Sequence, residues 1–214
     1  MPTPGWLVEQ AIDLLRTNRG WMSWNLALAV APAILATLLF PSGGRRHAGW
    51  WVALVAFVLL LPNAPYVVTD IIHIGWNARA VGSGRVVLFV LLPMFAAFIV
   101  AGYLAYLVAM DRIVAEVRTL RPRVNRLAIE LPVHAICALG IVLGRVARLN
   151  SWDTLASPRS TIERTFTALS WRGAPVVAVL VFVAVTVTYT AVRAAVIFTG
   201  HLADRVGASV ARSA

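Results

Sequence analysis

The sequence predicts an all-α protein, a polytopic bundle of about five transmembrane helices, one of them interrupted by a Pro-Asn-Ala-Pro break. Composition is the first observation behind this fold class. Hydrophobic residues make up 60% of the 214 residues and charged residues only 13%, whereas soluble domains carry roughly 25% charged residues. The second observation is the pattern, because long apolar runs alternate with loops that contain arginine. A soluble globular enzyme is therefore excluded.

The segments of this fold are predicted in chain order. Residues 5–18 have one apolar side and predict a short amphipathic helix, so residues 1–20 form an interfacial segment that precedes the bundle. The transmembrane domain is predicted at residues 21–200, followed by a polar tail at 201–214. Its five spans are predicted at residues 21–40, 50–74, 86–110, 127–146 and 174–199.

The second span contains the break. The apolar run at residues 50–61 would reach only about 18 Å as a helix, short of a hydrocarbon core about 30 Å thick. Pro62 and Pro65 then each remove a backbone donor and free a carbonyl one turn earlier. One hypothesis is a kinked helix in which local side chains, Asn63 among them, bond to the freed carbonyls. A second is a broken helix whose exposed backbone groups form a ligand or ion site, and a third is a loop tip of chance composition.

Two ionisable residues follow this break. Asp70 and His73 are three positions apart, so a helix places them on one face. Such a pair could bind a metal, relay a proton or simply form a structural contact near the headgroups. Two ligands do not define a metal site, so no metal site is predicted, and the sequence identifies no cofactor.

A second polar segment lies at residues 144–153. In a five-span topology it emerges on the same side of the membrane as residues 62–76. Asp70 and Asp153 are then the predicted partners of Arg145, whose planar fork suits carboxylates and phosphates alike. The alternative is a set of interfacial salt bridges that ties two loops together. The candidate catalytic residues are Asp70, His73 and Asp153, and the candidate ligand-binding residues are Asn63, Tyr66, Arg145, Arg148, Asn150 and Trp152.

Polar groups elsewhere are assigned structural roles. Glu130 and His134 lie one helical turn apart at the start of the fourth span. They are predicted to reach the interface or to pair with arginines of the polar linker at residues 111–126. Ser160 and Glu163 fit a capping box for a helix that carries apolar residues on one face. That pattern predicts a helix lying on the membrane.

The two polar segments together resemble a known family. LPNAPYVVTDIIHI at 61–74 and GRVARLNSWDTLASP at 144–158 are similar to the two signature segments of the bacterial membrane family called domain of unknown function 1361. The resemblance covers about residues 22–200, and Leu149 departs from it where the family often has an aromatic residue. It implies a fold and a location for the site, and no activity. The matched positions are Asn63, Ala64, Pro65, Tyr66, Thr69, Asp70 and His73 in the first segment and Gly144, Arg145, Arg148, Asn150, Ser151, Trp152 and Asp153 in the second.

Three functions remain open from the sequence. The first is a multi-pass membrane protein whose two polar segments bind an anionic lipid headgroup or a small ligand. The second is a membrane-embedded enzyme that acts on a lipid-linked substrate by acid/base or metal-assisted chemistry. The third is a small transporter with its substrate site at the break, although no inverted repeat supports it.

The partners and the location follow from composition. The net charge of +10 is carried entirely by arginines located between apolar runs, which fits loops that meet lipid headgroups rather than nucleic acid. The expected partners are the lipid bilayer and an anionic lipid or lipid-linked ligand, with no nucleic acid. The expected location is the inner (plasma) membrane. With Arg193, which lies inside the last span, left out, the other arginines divide equally between the two sides of the five-span topology, so they predict no orientation.

Overall fold

The computed structural model describes residues 4–41, 46–146 and 156–213, and all regular secondary structure within these ranges is helical. A short 3₁₀ segment, Val67–Ile71, and a π-helical turn, Val87–Leu91, interrupt the α-helical order. The helices in chain order are α1 Pro4–Leu39, α2 Ala48–Leu60, α3 Asn63–Tyr66, α4 Ile72–Val81, α5 Gly84–Val86, α6 Leu92–Leu120, α7 Arg126–Val146, α8 Pro158–Ser170 and α9 Ala174–Ser213.

Five helical stretches of the described chain are long and apolar enough to cross a membrane. Large apolar side chains such as Val52, Leu38 and Phe89 remain exposed on the outside of the bundle. Lipid is the solvent that suits such a surface. The predicted polytopic helical bundle is therefore confirmed. The five stretches are Gly5–Leu39, Ala48–Val81, Gly84–Leu120, Arg126–Arg145 and Ala174–Arg205.

Two helices extend past the boundaries that the sequence predicts. α1 runs without a break from Pro4, so the predicted interfacial segment and the first span form one helix. Gly20 lies inside this helix, and an interior glycine costs only about 1 kcal/mol relative to alanine. α9 likewise continues as a helix to Ser213, through the predicted polar tail. The assignment of residues 1–20 to the membrane interface, of residues 21–200 to the transmembrane domain and of residues 201–214 to a polar tail therefore remains a prediction.

Charged residues are nearly absent from one zone across the bundle. A helical run of about 20 residues spans about 30 Å, the thickness of the hydrocarbon core. The zone ends at Asp70 and Arg145 on one side and at Asp111 and Arg126 on the other. We call these two sides the Asp70 face and the Arg126 face. The runs without Asp, Glu or Arg are residues 20–41, 48–69, 86–110, 131–144 and 173–192.

The core forms around α6, which packs against α1, α7 and α9. Two close approaches hold the distorted part of the second span in this core. An added Cβ at Gly102 of α6 would lie 2.6 Å from a methyl of Val67, and one at Gly140 of α7 would lie 2.6 Å from the ring of Pro62. Both contacts are closer than a side chain allows. The second span therefore lies directly on the backbones of two neighbouring helices.

α8 begins earlier than its predicted capping box. The helix starts at Pro158, and Ser157 precedes it. Ser160 lies within the first turn and donates from Oγ to the carbonyl of Ser157 at 3.1 Å. The capping-box prediction was wrong because Pro158 is pre-organised for the first helical position. The helix itself is present where the sequence predicts one.

Candidate functional site

The Pro-Asn-Ala-Pro stretch keeps a helical backbone throughout. Leu61, Pro62, Tyr66 and Val67 all have right-handed helical dihedral angles. The side-chain amide of Asn63 donates to the carbonyl of Leu60 at 2.9 Å, one of the contacts that closes the gap. The kinked-helix hypothesis therefore describes this stretch. The candidate ligand-binding residue Asn63 contributes to it from within the second span.

Asp70 is at the centre of the polar site. It lies in the 3₁₀ segment after the break, and only 1% of its surface is exposed. One carboxylate oxygen accepts a hydrogen bond from Nη2 of Arg145, and the other accepts from Nδ2 of Asn25 at 3.3 Å. A buried carboxylate is stable only when it is paired and hydrogen-bonded. Asp70 thus connects three spans, those that contain α1, the proline break and α7.

Arg145 reaches the site from the last turn of α7. Its Nε and Nη2 donate to Oγ1 of Thr69 at 2.9 and 2.8 Å. The centre of the guanidinium lies 4.3 Å from the ring centroid of Tyr66, a cation–π contact. The arginine is therefore held by a carboxylate, a hydroxyl and an aromatic face. About a quarter of its side chain, 27%, remains exposed.

His73 lies one turn beyond Asp70 and is more accessible, with 36% of its side chain exposed. Its Nδ1 is 3.2 Å from the backbone carbonyl of Asp70 and 3.8 Å from the nearer carboxylate oxygen. The imidazole stacks on Trp21 with the ring centroids 4.9 Å apart. The predicted proximity of Asp70 and His73 is therefore present, and α1 supplies the surface on which the imidazole rests.

α1 contributes side chains to the site that the sequence pattern did not predict. Nε1 of Trp21 donates to Asn18 at 3.0 Å, and Asn18 donates to Asn77 at 3.0 Å. Asn77 in turn donates to the carbonyl of His73 at 2.9 Å. Trp21 is at the start of the first predicted span, a position where tryptophan ordinarily acts as an interfacial anchor. The spacing of Asn18, Trp21 and Asn25, which places them on one helical face, was the available signal.

The structure brings together some of the predicted site residues. Tyr66, Asp70, His73 and Arg145 form one cluster at the Asp70 face, and Asn63 lies in the helix that leads to it. The remaining candidates lie outside the described residues, so the predicted pairing of Asp153 with Arg145 stays a prediction. These candidates are Arg148, Asn150, Trp152 and Asp153.

The side chains of the site suit hydrogen bonding and contact with an anion better than they suit metal binding. Among residues 4–41, 46–146 and 156–213, no three His, Cys, Asp or Glu side chains are grouped closely enough to hold a metal ion. The described cluster instead combines a guanidinium, a hydroxyl, an imidazole and a buried carboxylate. Guanidinium groups match the geometry of phosphate and carboxylate.

A second polar cluster lies at the Arg126 face. Arg126 donates from Nε to Glu130 and from Nη2 to Asp111 and to the hydroxyl of Tyr189, 3.0 Å away. Tyr189 in turn donates to Glu130. The predicted pairing of Glu130 with a linker arginine is therefore confirmed, and the cluster connects α6, α7 and α9.

His134 extends this cluster into the core. It is 1% exposed, and its Nδ1 lies 2.8 Å from the hydroxyl of Tyr106. The prediction that His134 reaches the interface or pairs with an arginine was wrong. The ring packs edge-on against Tyr189 at a centroid distance of 4.7 Å, so aromatic contacts hold it inside the bundle.

One known protein family matches the part of the chain that contains both signature segments. The profile of the family described as Protein of unknown function (DUF1361) matches residues 24–188, well over half of the chain. The chain belongs to this family. The DUF1361 match contains Asn25, Asp70 and Arg145, so the described ion pair and one α1 partner fall inside it. Trp21 falls just outside. No curated protein and no solved structure gives a significant match to the chain.

Proposed function

We propose that this DUF1361 protein binds an anionic group at the Asp70 face of the membrane, a phosphate or carboxylate carried by a lipid headgroup or by a small ligand. The observation that carries the proposal is the geometry of Arg145. Its guanidinium is held by the buried Asp70, by Thr69 and by the ring of Tyr66, while part of the side chain stays exposed. Multi-pass membrane insertion is supported by the five spans, and the inner (plasma) membrane as location is part of the proposal.

Pre-organisation of the arginine favours binding. A free arginine side chain loses rotamer entropy when it binds a ligand, and this loss weakens affinity. Arg145 has already lost that freedom, because three groups from the second span orient it. An anion that meets its exposed part therefore binds without the cost of ordering the side chain. The same geometry explains why lysine, a flexible point charge, would be a poor replacement.

The surrounding charge favours an anionic ligand. Outside the charge-free zone, exposed arginines on the Asp70 face outnumber the acidic residues, which are Glu9, Asp13 and Glu163 among the described residues. A surface of one sign raises the local concentration of ions of the other sign, and basic residues near a bilayer attract anionic lipid. The exposed arginines are Arg16, Arg19, Arg79, Arg85, Arg159, Arg164 and Arg172.

The surroundings of Asp70 support anion binding by the site better than they support a catalytic role for Asp70 itself. A general base must reach the proton that it removes from the substrate. The carboxylate of Asp70 is buried and accepts hydrogen bonds from Arg145 and Asn25. Its geometry suits a residue that positions Arg145. The enzyme hypothesis, with His73 and Asp153, and the transporter hypothesis stay predictions from the sequence.

The test is a binding measurement on the full chain purified in detergent and stripped of lipid. Native mass spectrometry would follow titration with phosphatidylglycerol, with phosphatidylcholine and, in a separate arm, with inorganic phosphate. We expect the wild type to prefer phosphatidylglycerol over phosphatidylcholine. Competition by inorganic phosphate would identify a small anion as sufficient, and its failure would assign the binding to the lipid headgroup.

Variants separate binding from folding. Arg145→Gln should weaken binding at least about tenfold, because a charge-assisted hydrogen bond contributes roughly 1.5–3 kcal/mol. Arg46→Gln is the matched control, since Arg46 pairs with Glu116 at the other face, and it should bind like the wild type. The double variant Asp70→Asn/Arg145→Gln removes both charges and controls for an unpaired buried carboxylate. Wild-type affinity in a folded double variant would overturn the proposal.

A further inference from the structure

The helix α8 lies in the chain between α7 and α9. The end of α7 and the start of α9 both lie at the Asp70 face. The position of α8 in the chain therefore puts it at the Asp70 face of the bundle. Its contacts with the described bundle are made to α7 and α9. Most of the described side chains of α8 are exposed, so the bundle covers only part of the helix.

One exposed side of α8 is apolar. Ile162 and Phe166 lie one turn apart, and they are 56% and 68% exposed. Thr161 and Thr165 are less exposed, so the flank that they form is the more covered one. At about 100° per residue, the apolar side is about a quarter turn from that flank. The bundle therefore covers a different side of the helix from the one that carries the large apolar groups.

The opposite side of α8 is polar. Ser160, Arg164 and Thr167 are exposed and lie about 120–180° round the helix from the midpoint between Ile162 and Phe166. Such a division is typical of a helix that lies in the membrane interface. A helix with one flank on the bundle, one apolar side and one polar side fits beside transmembrane spans at the surface of a bilayer.

We propose that α8 lies in the interface of a bilayer that contains anionic lipid, with Ile162 and Phe166 among the upper acyl chains. Two further large apolar side chains are exposed nearby in the chain, Trp171 directly after α8 and Val176 in the first turn of α9. Charge complementarity selects anionic lipid, because Arg159 and Arg164 outnumber Glu163 on this helix. The inference does not depend on anion binding at Arg145.

Nitroxide labels on single cysteines test the inference in the full chain. The native Cys137 is completely buried in the core, so an introduced cysteine is the accessible one. The labelled variants are Ile162→Cys and Phe166→Cys, with Ser160→Cys and Thr167→Cys as matched controls on the polar side. Each is reconstituted into vesicles of phosphatidylcholine with phosphatidylglycerol and into vesicles of phosphatidylcholine alone, and accessibility to oxygen and to a polar nickel complex gives the depth of each label.

The expected result is a label at 162 and 166 about 5–10 Å below the headgroups, with the controls at 160 and 167 in water. The depth should decrease when phosphatidylglycerol is omitted. Equal water accessibility at all four positions would overturn the inference. So would spin–spin broadening at 166, which would identify a second copy of the chain as the occupant. An identical depth in both vesicles would overturn the assignment to anionic lipid.

Discussion

At the scale of single residues, Asp70 and Arg145 are partners with unequal exposure. The carboxylate is almost fully buried, whereas the guanidinium keeps contact with its surroundings. Forming a buried ion pair adds little net stability, because both charges lose their hydration. Removing one partner is costly, since the other charge is left buried without compensation. The cost therefore depends on which partner remains.

We expect Arg145→Gln to destabilise the protein more than Asp70→Asn. The first change leaves a buried carboxylate without its cation, and this costs about 3–5 kcal/mol. The second leaves an arginine that can still reach polar surroundings. Denaturant-induced unfolding of each variant in detergent would measure the difference in the free energy of unfolding.

The double variant Asp70→Asn/Arg145→Gln is the control for this comparison. It should recover most of the stability that Arg145→Gln loses, because no buried charge remains. A double variant as unstable as Arg145→Gln would show that packing, and not charge, accounts for the loss.

At the scale of elements, the distorted second span is seated against two glycines. Pro62 faces Gly140 of α7, and Val67 faces Gly102 of α6. Glycine at a helix contact lets two backbones approach more closely than any side chain permits. This seating places the 3₁₀ segment, and with it Asp70, at the level of Arg145.

We expect Gly140→Val to lower the free energy of unfolding by about 1–3 kcal/mol, the typical cost of overpacking. The rigid ring of Pro62 cannot move aside as a flexible side chain would. Gly75→Val is the matched control, since nothing lies within 4 Å of the Cβ that it adds. Unfolding of both variants under the same conditions measures the effect, and equal stabilities would contradict the close contact.

At the scale of the whole molecule, two polar clusters lie at opposite ends of α7. Arg126 and Arg145 are separated by about 28 Å along the helix, close to the thickness of a hydrocarbon core. The cluster at Arg126 connects α6, α7 and α9, and the cluster at Asp70 connects α1, the second span and α7. Each cluster thus joins a different set of helices at a different membrane face.

The five-span topology predicts that Arg79 and Arg118 lie on opposite sides of the membrane. Arg79→Cys and Arg118→Cys, each in the full chain in sealed vesicles, should react with a membrane-impermeant maleimide from opposite sides. The wild type should not react, because its single cysteine is buried in the core. Labelling of both variants from the same side would contradict the number of spans.

Much of this architecture could be predicted from local pattern. The apolar runs specify five spans through their length and hydropathy, which need no knowledge of neighbouring helices. The same topology places residues 62–76 and 144–153 on one face, and from this the pairing of Asp70 with Arg145 was correctly predicted. Helix ends were predicted less well, since α1 and α9 extend through polar residues that a helix tolerates outside the bilayer.

The partners of the polar residues depended on packing between distant segments. Asn25 meets Asp70, Trp21 supports His73, and His134 turns inward to Tyr106. Each contact joins helices far apart in the chain, so local spacing can indicate the polar face of one helix but does not identify the partner of that face. The sequence alone therefore establishes the membrane class, the spans and the two polar segments, because burial in lipid acts on each run separately. Only the helix packing decides how Asp70 and α1 complete the site. The close contacts at Gly102 and Gly140 fix the position of the second span along α6 and α7.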